Sequence, residues 1–181
     1  KEKPFANSGR CLRVASQRTD VCSRCLDNIF IGKPCQCSVN ANVWEGVEVG
    51  LPQDKPATEK QHIAVVGAGP GGLEAARVAA ERGHKVTVLE KSDKLAGLLT
   101  MAQVLNANIE PLVSYWNEEM KLHPNIEIKL NTKVDVDTLR ALNPDQVIVS
   151  PGGGIIPIDV PGIDGKNVQS AEDVYVNTDL A

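Results

Sequence analysis

The sequence predicts an α/β domain built on a parallel sheet, and three observations within one stretch predict it. From His62 to Lys91 the chain reads HIAVVGAGPGGLEAARVAAERGHKVTVLEK. Ile63 to Val66 is a short apolar run, mostly β-branched, as expected of a strand covered on both faces. Gly67, Gly69 and Gly72 then form G-x-G-x-x-G at the start of a helix that Gly83 ends. Lys85 to Leu89 is a second strand, closed by the acid Glu90.

Each part of that stretch has a reason to be there. The first glycine permits a sharp turn, the second lets backbone approach a diphosphate, and the third lets the helix pack close to the strand. The helix N-terminus faces the phosphate charge. Glu90, at the end of the second strand, is placed to accept from ribose hydroxyls and favours a free 2′-hydroxyl over a 2′-phosphate. The unit therefore reads as a Rossmann-like FAD/NAD(P)-binding domain with an adenine-dinucleotide or ADP site. A βαβ unit without a ligand is the competing reading. The binding residues expected are Gly67, Ala68, Gly69, Pro70, Gly71, Gly72, Glu90 and Lys91, with Gly97 and Leu98 from the following loop.

The remaining elements follow in order. Lys91 to Asn108 reads as loop, and Ile109 to Leu122 as an amphipathic helix stopped by His123-Pro124-Asn125. Ile126 to Leu130 alternates like a third strand, Asp137 to Leu142 is a short helix, and Val147 to Ser150 is a fourth, buried strand. That strand runs into Pro151 and three glycines, at the sheet edge where open α/β folds bind ligands, so Gly152 joins the expected site. Val160 to Tyr175 reads as loop with one further strand. The three histidines fall at element edges, and no catalytic acid, base or nucleophile set stands out, so no catalytic residue is expected.

Composition narrows the function classes. The chain has 181 residues, 42% hydrophobic but only 3% aromatic, so its core is expected to be aliphatic. No apolar run approaches the ~20 residues that span a bilayer, and no signal-peptide core opens the sequence. Residues 1–34 carry seven Lys/Arg against three acids, yet almost no aromatic residue for base stacking, which argues against nucleic acid. All five cysteines lie within the first 37 residues. An odd number, clustered and without a secretion signal, predicts metal or reduced thiols and a cytoplasmic location. Three regions result: a small irregular cysteine-rich lobe (1–46), a polar linker with Pro52 and Pro56 (47–61), and the nucleotide domain (62–181). Cys22, Cys25, Cys35 and Cys37 sit on short loops, where thiolates can surround an iron–sulfur cluster or close a zinc site.

Lobe and nucleotide unit together resemble the C-terminal half of the iron–sulfur flavoenzymes related to 2,4-dienoyl-CoA reductase and trimethylamine dehydrogenase. The resemblance covers roughly residues 18–175. It rests on Cys22-Ser23-Arg24-Cys25-Leu26, Gly32-Lys33-Pro34, Cys37-Ser38-Val39-Asn40, the run from Val65 to Gly97, Asp145 to Ser150, and Val160-Pro161-Gly162. It implies FAD, or ADP in its place, on the glycine turn and a 4Fe-4S cluster on Cys22, Cys25 and Cys37. Thr19 stands where the family's first cysteine would, which leaves the fourth ligand to Cys35 or Cys11. It further implies FMN on a TIM barrel and NAD(P)H on a nicotinamide-binding domain, both outside this chain. The function implied is an electron-transfer module of an NAD(P)H-dependent oxidoreductase, inactive by itself. The alternative is a non-catalytic nucleotide-binding or docking module whose cysteine site holds zinc or nothing. Two further departures lie in the binding loops: Ser150-Pro151 replaces an Ala-Thr pair, and Ala96-Gly97 a Gly-Gly pair.

Overall fold

Four short parallel strands form the centre of the fold: β1 (His62–Val66), β2 (Lys85–Leu89), β3 (Ile126–Lys129) and β4 (Gln146–Val149). Their order in the sheet is β3-β2-β1-β4. The structure, a computed structural model, describes residues 56–107, 109–154, 158–170 and 173–174. The expected cysteine ligands Cys22, Cys25, Cys35 and Cys37, and the lobe and most of the linker around them, lie outside the described residues.

Strand register positions the site. β1 and β2 pair from His62 opposite Lys85 to Val66 opposite Leu89, so they finish level. The Gly67 N–H then donates to the Leu89 carbonyl at 2.8 Å. On the other side Val66 lies opposite Val149, and the Ser150 N–H donates to the Val66 carbonyl at 2.8 Å. The glycine turn, Glu90 and Ser150 therefore emerge together at one edge of the sheet, the carboxyl edge.

The helix α1 (Pro70–Glu81) crosses one face of the sheet. Pro70 suits its first turn, because proline fixes a helical φ and lacks an N–H that would go unbonded there. Its inward stripe is small, with Gly72, Ala76, Ala79 and Ala80 buried beside Leu73. Helix and sheet can thus approach closely over Val65, Val86 and Val88, which water does not reach. A second layer comes from α3 (Glu110–Lys121), which packs on α1 through Leu112, Tyr115, Trp116 and Met120. Tyr115 and Trp116 meet edge to face with ring centroids 5.1 Å apart, so the few aromatics strengthen an otherwise aliphatic core.

Three expectations need correction. The stretch Lys91 to Asn108 is not all loop, because α2 (Leu99–Leu105) forms within it. It begins without a side-chain cap and no acid marks its first turn, so the usual sequence signals of a helix start are missing. The fourth strand is not buried: β4 lies at the sheet edge, with Val149 70% exposed. No further strand follows Val160 among the described residues, which form turns up to Val168. The short helix α4 (Val136–Leu142) forms as expected. Asp135 caps it by accepting from the Thr138 N–H, and Asn143 closes it in the left-handed conformation. No helix among the described residues is long and apolar enough to cross a membrane.

Candidate nucleotide-binding site

The three motif glycines answer different physical demands. Gly67 has φ +100°, and a Cβ there would run into the Ser150 carbonyl oxygen and lie 3.2 Å from the Pro151 Cα. A Cβ on Gly72 would run into the Gly67 carbonyl oxygen, with Val65 Cγ1 3.4 Å away. Both positions are glycine because the turn, α1 and the β4 end crowd together. Gly69 is different. Its φ of −71° suits any residue, and a Cβ would meet nothing within 4 Å among the described residues. Neither strain nor packing explains glycine there, whereas open space over backbone is what an approaching ligand needs.

That space lies at an uncapped helix N-terminus. Gly69 is the N-cap of α1, no side chain bonds the first-turn amides, and no acid stands in that turn. The first N–H groups of a helix have no intrahelical partner and carry partial positive charge. Uncapped amides beside an open glycine fit a diphosphate.

Glu90 lies beside this turn and is buried. Its Oε2 accepts from the Ala68 N–H at 2.7 Å. Its Oε1 accepts from the Ser92 N–H at 2.8 Å and the Ser92 hydroxyl at 2.9 Å. Burial alone would raise its pKa, but these donors and the charge of Lys91 hold the carboxyl below the usual range, so it stays ionised. Ser92 is the functional neighbour the sequence reading missed, and the only sequence signal for it is a hydroxyl two residues after the acid.

The loop after β2 closes the other side. The Ala96 N–H donates to the Ala68 carbonyl at 2.9 Å, which pins the loop to the glycine turn. A Cβ on Gly97, at φ +53°, would lie 3.1 Å from the Gly69 Cα. Ala96 itself sits at φ +75°, a region glycine enters more freely. The structure thus gathers Gly67 to Gly72, Glu90 and Gly97 around one helix mouth. Lys91 and Leu98 are exposed, Leu98 at 58%. Gly152 is exposed too, at φ +82°, one residue beyond Pro151.

One further cluster of ligand-type atoms lies between α1 and α3. Glu81, Glu119 and His123 place such atoms within 4.8 Å of one another. Glu81 is 2.6 Å from Arg77 Nη1, and Glu119 is 3.3 Å from His123 Nε2. Each of these contacts runs along one helix, and Arg77 already supplies a positive charge to Glu81.

Residues 61–178 match the family described as pyridine nucleotide-disulphide oxidoreductase. The chain belongs to that family. Within it, the chain is similar to bilirubin reductase of Mediterraneibacter gnavus, with 34% identity over 179 residues, 96% of this chain and 26% of that protein. It is also similar to cinnamate reductase of Clostridium sporogenes, with 34% identity over 153 residues, 84% of this chain and 22% of that protein. A solved complex of 2-naphthoyl-CoA reductase superposes with a TM-score of 0.81 at 31% identity, covering 95% of this chain and 27% of that one. The chain spans about a quarter of the length of these relatives. They bear out the resemblance to flavin and iron–sulfur oxidoreductases read from the sequence.

Proposed function

We infer that residues 62–181 form the nucleotide-binding domain of a larger NAD(P)H-dependent flavin oxidoreductase, holding FAD, or ADP in its place. The observation that carries this reading is the open space over Gly69 at the uncapped mouth of α1. Gly67 to Gly72 would hold the diphosphate through backbone amides, and Glu90 would orient the adenosine ribose. Ala96 and Gly97 would close the site from the side of the loop, with Lys91 and Leu98 at its margin. The Ser150-Pro151-Gly152 turn would border the side away from the adenosine, and Pro151 contributes no N–H there. When bound, a flavin supplies hydride acceptance and one-electron transfer, which no side chain of this site can supply.

Cys22, Cys25 and Cys37, with Cys35 or Cys11 as fourth ligand, are assigned to a 4Fe-4S cluster on the strength of the family resemblance, since their spacing alone suits zinc equally. The parent enzyme would carry FMN on a barrel domain and NAD(P)H on a separate domain, with this segment as its electron-transfer module. Thr19 favours one competing reading, a docking module whose cysteines hold zinc. Two measurements on the 181-residue chain test the assignment. Calorimetric titration with ADP, FAD and NAD is expected to show binding, and the absence of all three defeats the nucleotide reading. Iron, sulfide and zinc analysis of anaerobically purified protein is expected to give iron and sulfide with broad visible absorbance. A colourless protein with stoichiometric zinc would instead establish the docking module.

A further inference from the structure

We propose that Ser92 is a positioning residue that restricts Glu90 to a single ribose hydroxyl, and so sets which sugar hydroxyl the site reads. The inference rests on the nucleotide reading above and deepens it. A carboxylate offers about four acceptor positions, two on each oxygen. On Glu90 three are filled from within the protein: the Ala68 N–H on Oε2, and the Ser92 N–H and hydroxyl on Oε1. Among the described residues one position on Oε2 is left. A ribose diol brings two donors, so one of them finds no acceptor on this carboxylate.

The hydroxyl of Ser92 decides the matter, because it has a choice. Its oxygen lies 2.9 Å from Glu90 Oε1 and 2.8 Å from the Lys94 carbonyl oxygen, and it has one proton. An ionised acceptor forms the stronger bond, so the proton goes to Glu90. Ser92 cannot easily drift away, since its own carbonyl accepts from the Asn131 N–H at 2.8 Å and its N–H is held by Glu90. Glu90 is only 7% exposed, so little water competes for its oxygens. Removing the hydroxyl alone would keep the Ser92 N–H bond and free a second acceptor position for the sugar.

The test is calorimetric titration of the 181-residue chain with ADP, 2′-deoxy-ADP and 3′-deoxy-ADP, in the wild type, Ser92→Ala and Ser92→Thr. In the wild type one deoxy analogue is expected to bind about tenfold more weakly than ADP, the loss of one bond to a charged group, and the other within about twofold. In Ser92→Ala both analogues are expected to fall about tenfold below ADP. Ser92→Thr, which restores the hydroxyl, is expected to return the one-sided pattern. A ratio between ligands on the same protein is insensitive to a general loss of stability. Equal weakening by both analogues in the wild type overturns the proposal, even if Ser92→Ala does not fold. So does a pattern in Ser92→Ala identical to the wild type. If wild-type chain binds no ADP at all, the nucleotide reading falls and this proposal with it, whereas ADP binding with the wrong pattern removes this proposal alone.

Discussion

Gly72 and Glu90 show how single residues fix the shape of the helix mouth. Gly72→Ala forces a methyl into the Gly67 carbonyl oxygen, which is backbone and cannot rotate away. Such overpacking is expected to cost about 3 kcal/mol in a urea unfolding experiment. At Glu90 the expectation concerns pH. Its carboxyl is held below the usual range when folded, so on acidification the unfolded chain takes up that proton first. Its contribution is fully present above roughly pH 4–5, near the unfolded value, and is lost as pH falls through the folded value. Glu90→Gln should destabilise the protein by about 2 kcal/mol at neutral pH, since one acceptor becomes a donor facing donors. The gap between wild type and variant should narrow as unfolding is measured at lower pH. The glycine roles were legible in the sequence because each follows from turn geometry at fixed spacing. Ser92 was not, since a serine two residues after an acid is common and only the fold brings Glu90 beneath Ala68.

Elements were legible where periodicity was strong. The β1–α1–β2 unit is readable because apolar period and glycine position agree, and α3 because its apolar stripe is stopped at His123-Pro124-Asn125. The helix α2 was missed because it is short and uncapped. Charged side chains one turn apart also pair along α1, a pattern the apolar stripe does not display. Arg77, 3% exposed, bonds Glu74 through Nε at 3.0 Å and Glu81 through Nη1 at 2.6 Å. Arg77→Met keeps most of the buried stem but leaves two carboxylates without their cation. The expected loss is about 2 kcal/mol by thermal or urea unfolding, tempered because both glutamates reach partway to solvent. Loss of the same size in a variant that also removes both carboxylates would show that stem packing, not charge, accounts for it.

Taken whole, the chain spans about a quarter of the length of the relatives it matches, and its sheet leaves β4 at an edge. A parallel strand such as β4 normally lies inside a sheet covered on both faces, and its sequence reads as buried for that reason. Here Val147 and Val149 are exposed at 40% and 70% on an edge strand, a surface that invites self-association. Val149→Thr is expected to change stability by less than about 0.5 kcal/mol and to reduce concentration-dependent association in sedimentation velocity. The central claim concerns the opposite feature, a surface kept clear at the carboxyl edge of the same sheet. Gly69→Ala tests it most directly, with thermal stability and ADP affinity measured on the same preparation. Because a Cβ there meets nothing within 4 Å among the described residues, stability should fall by no more than the roughly 1 kcal/mol of an N-cap change while ADP affinity falls at least about tenfold. Unchanged affinity in a stably folded Gly69→Ala would contradict the account, since the space over that glycine would then hold no diphosphate.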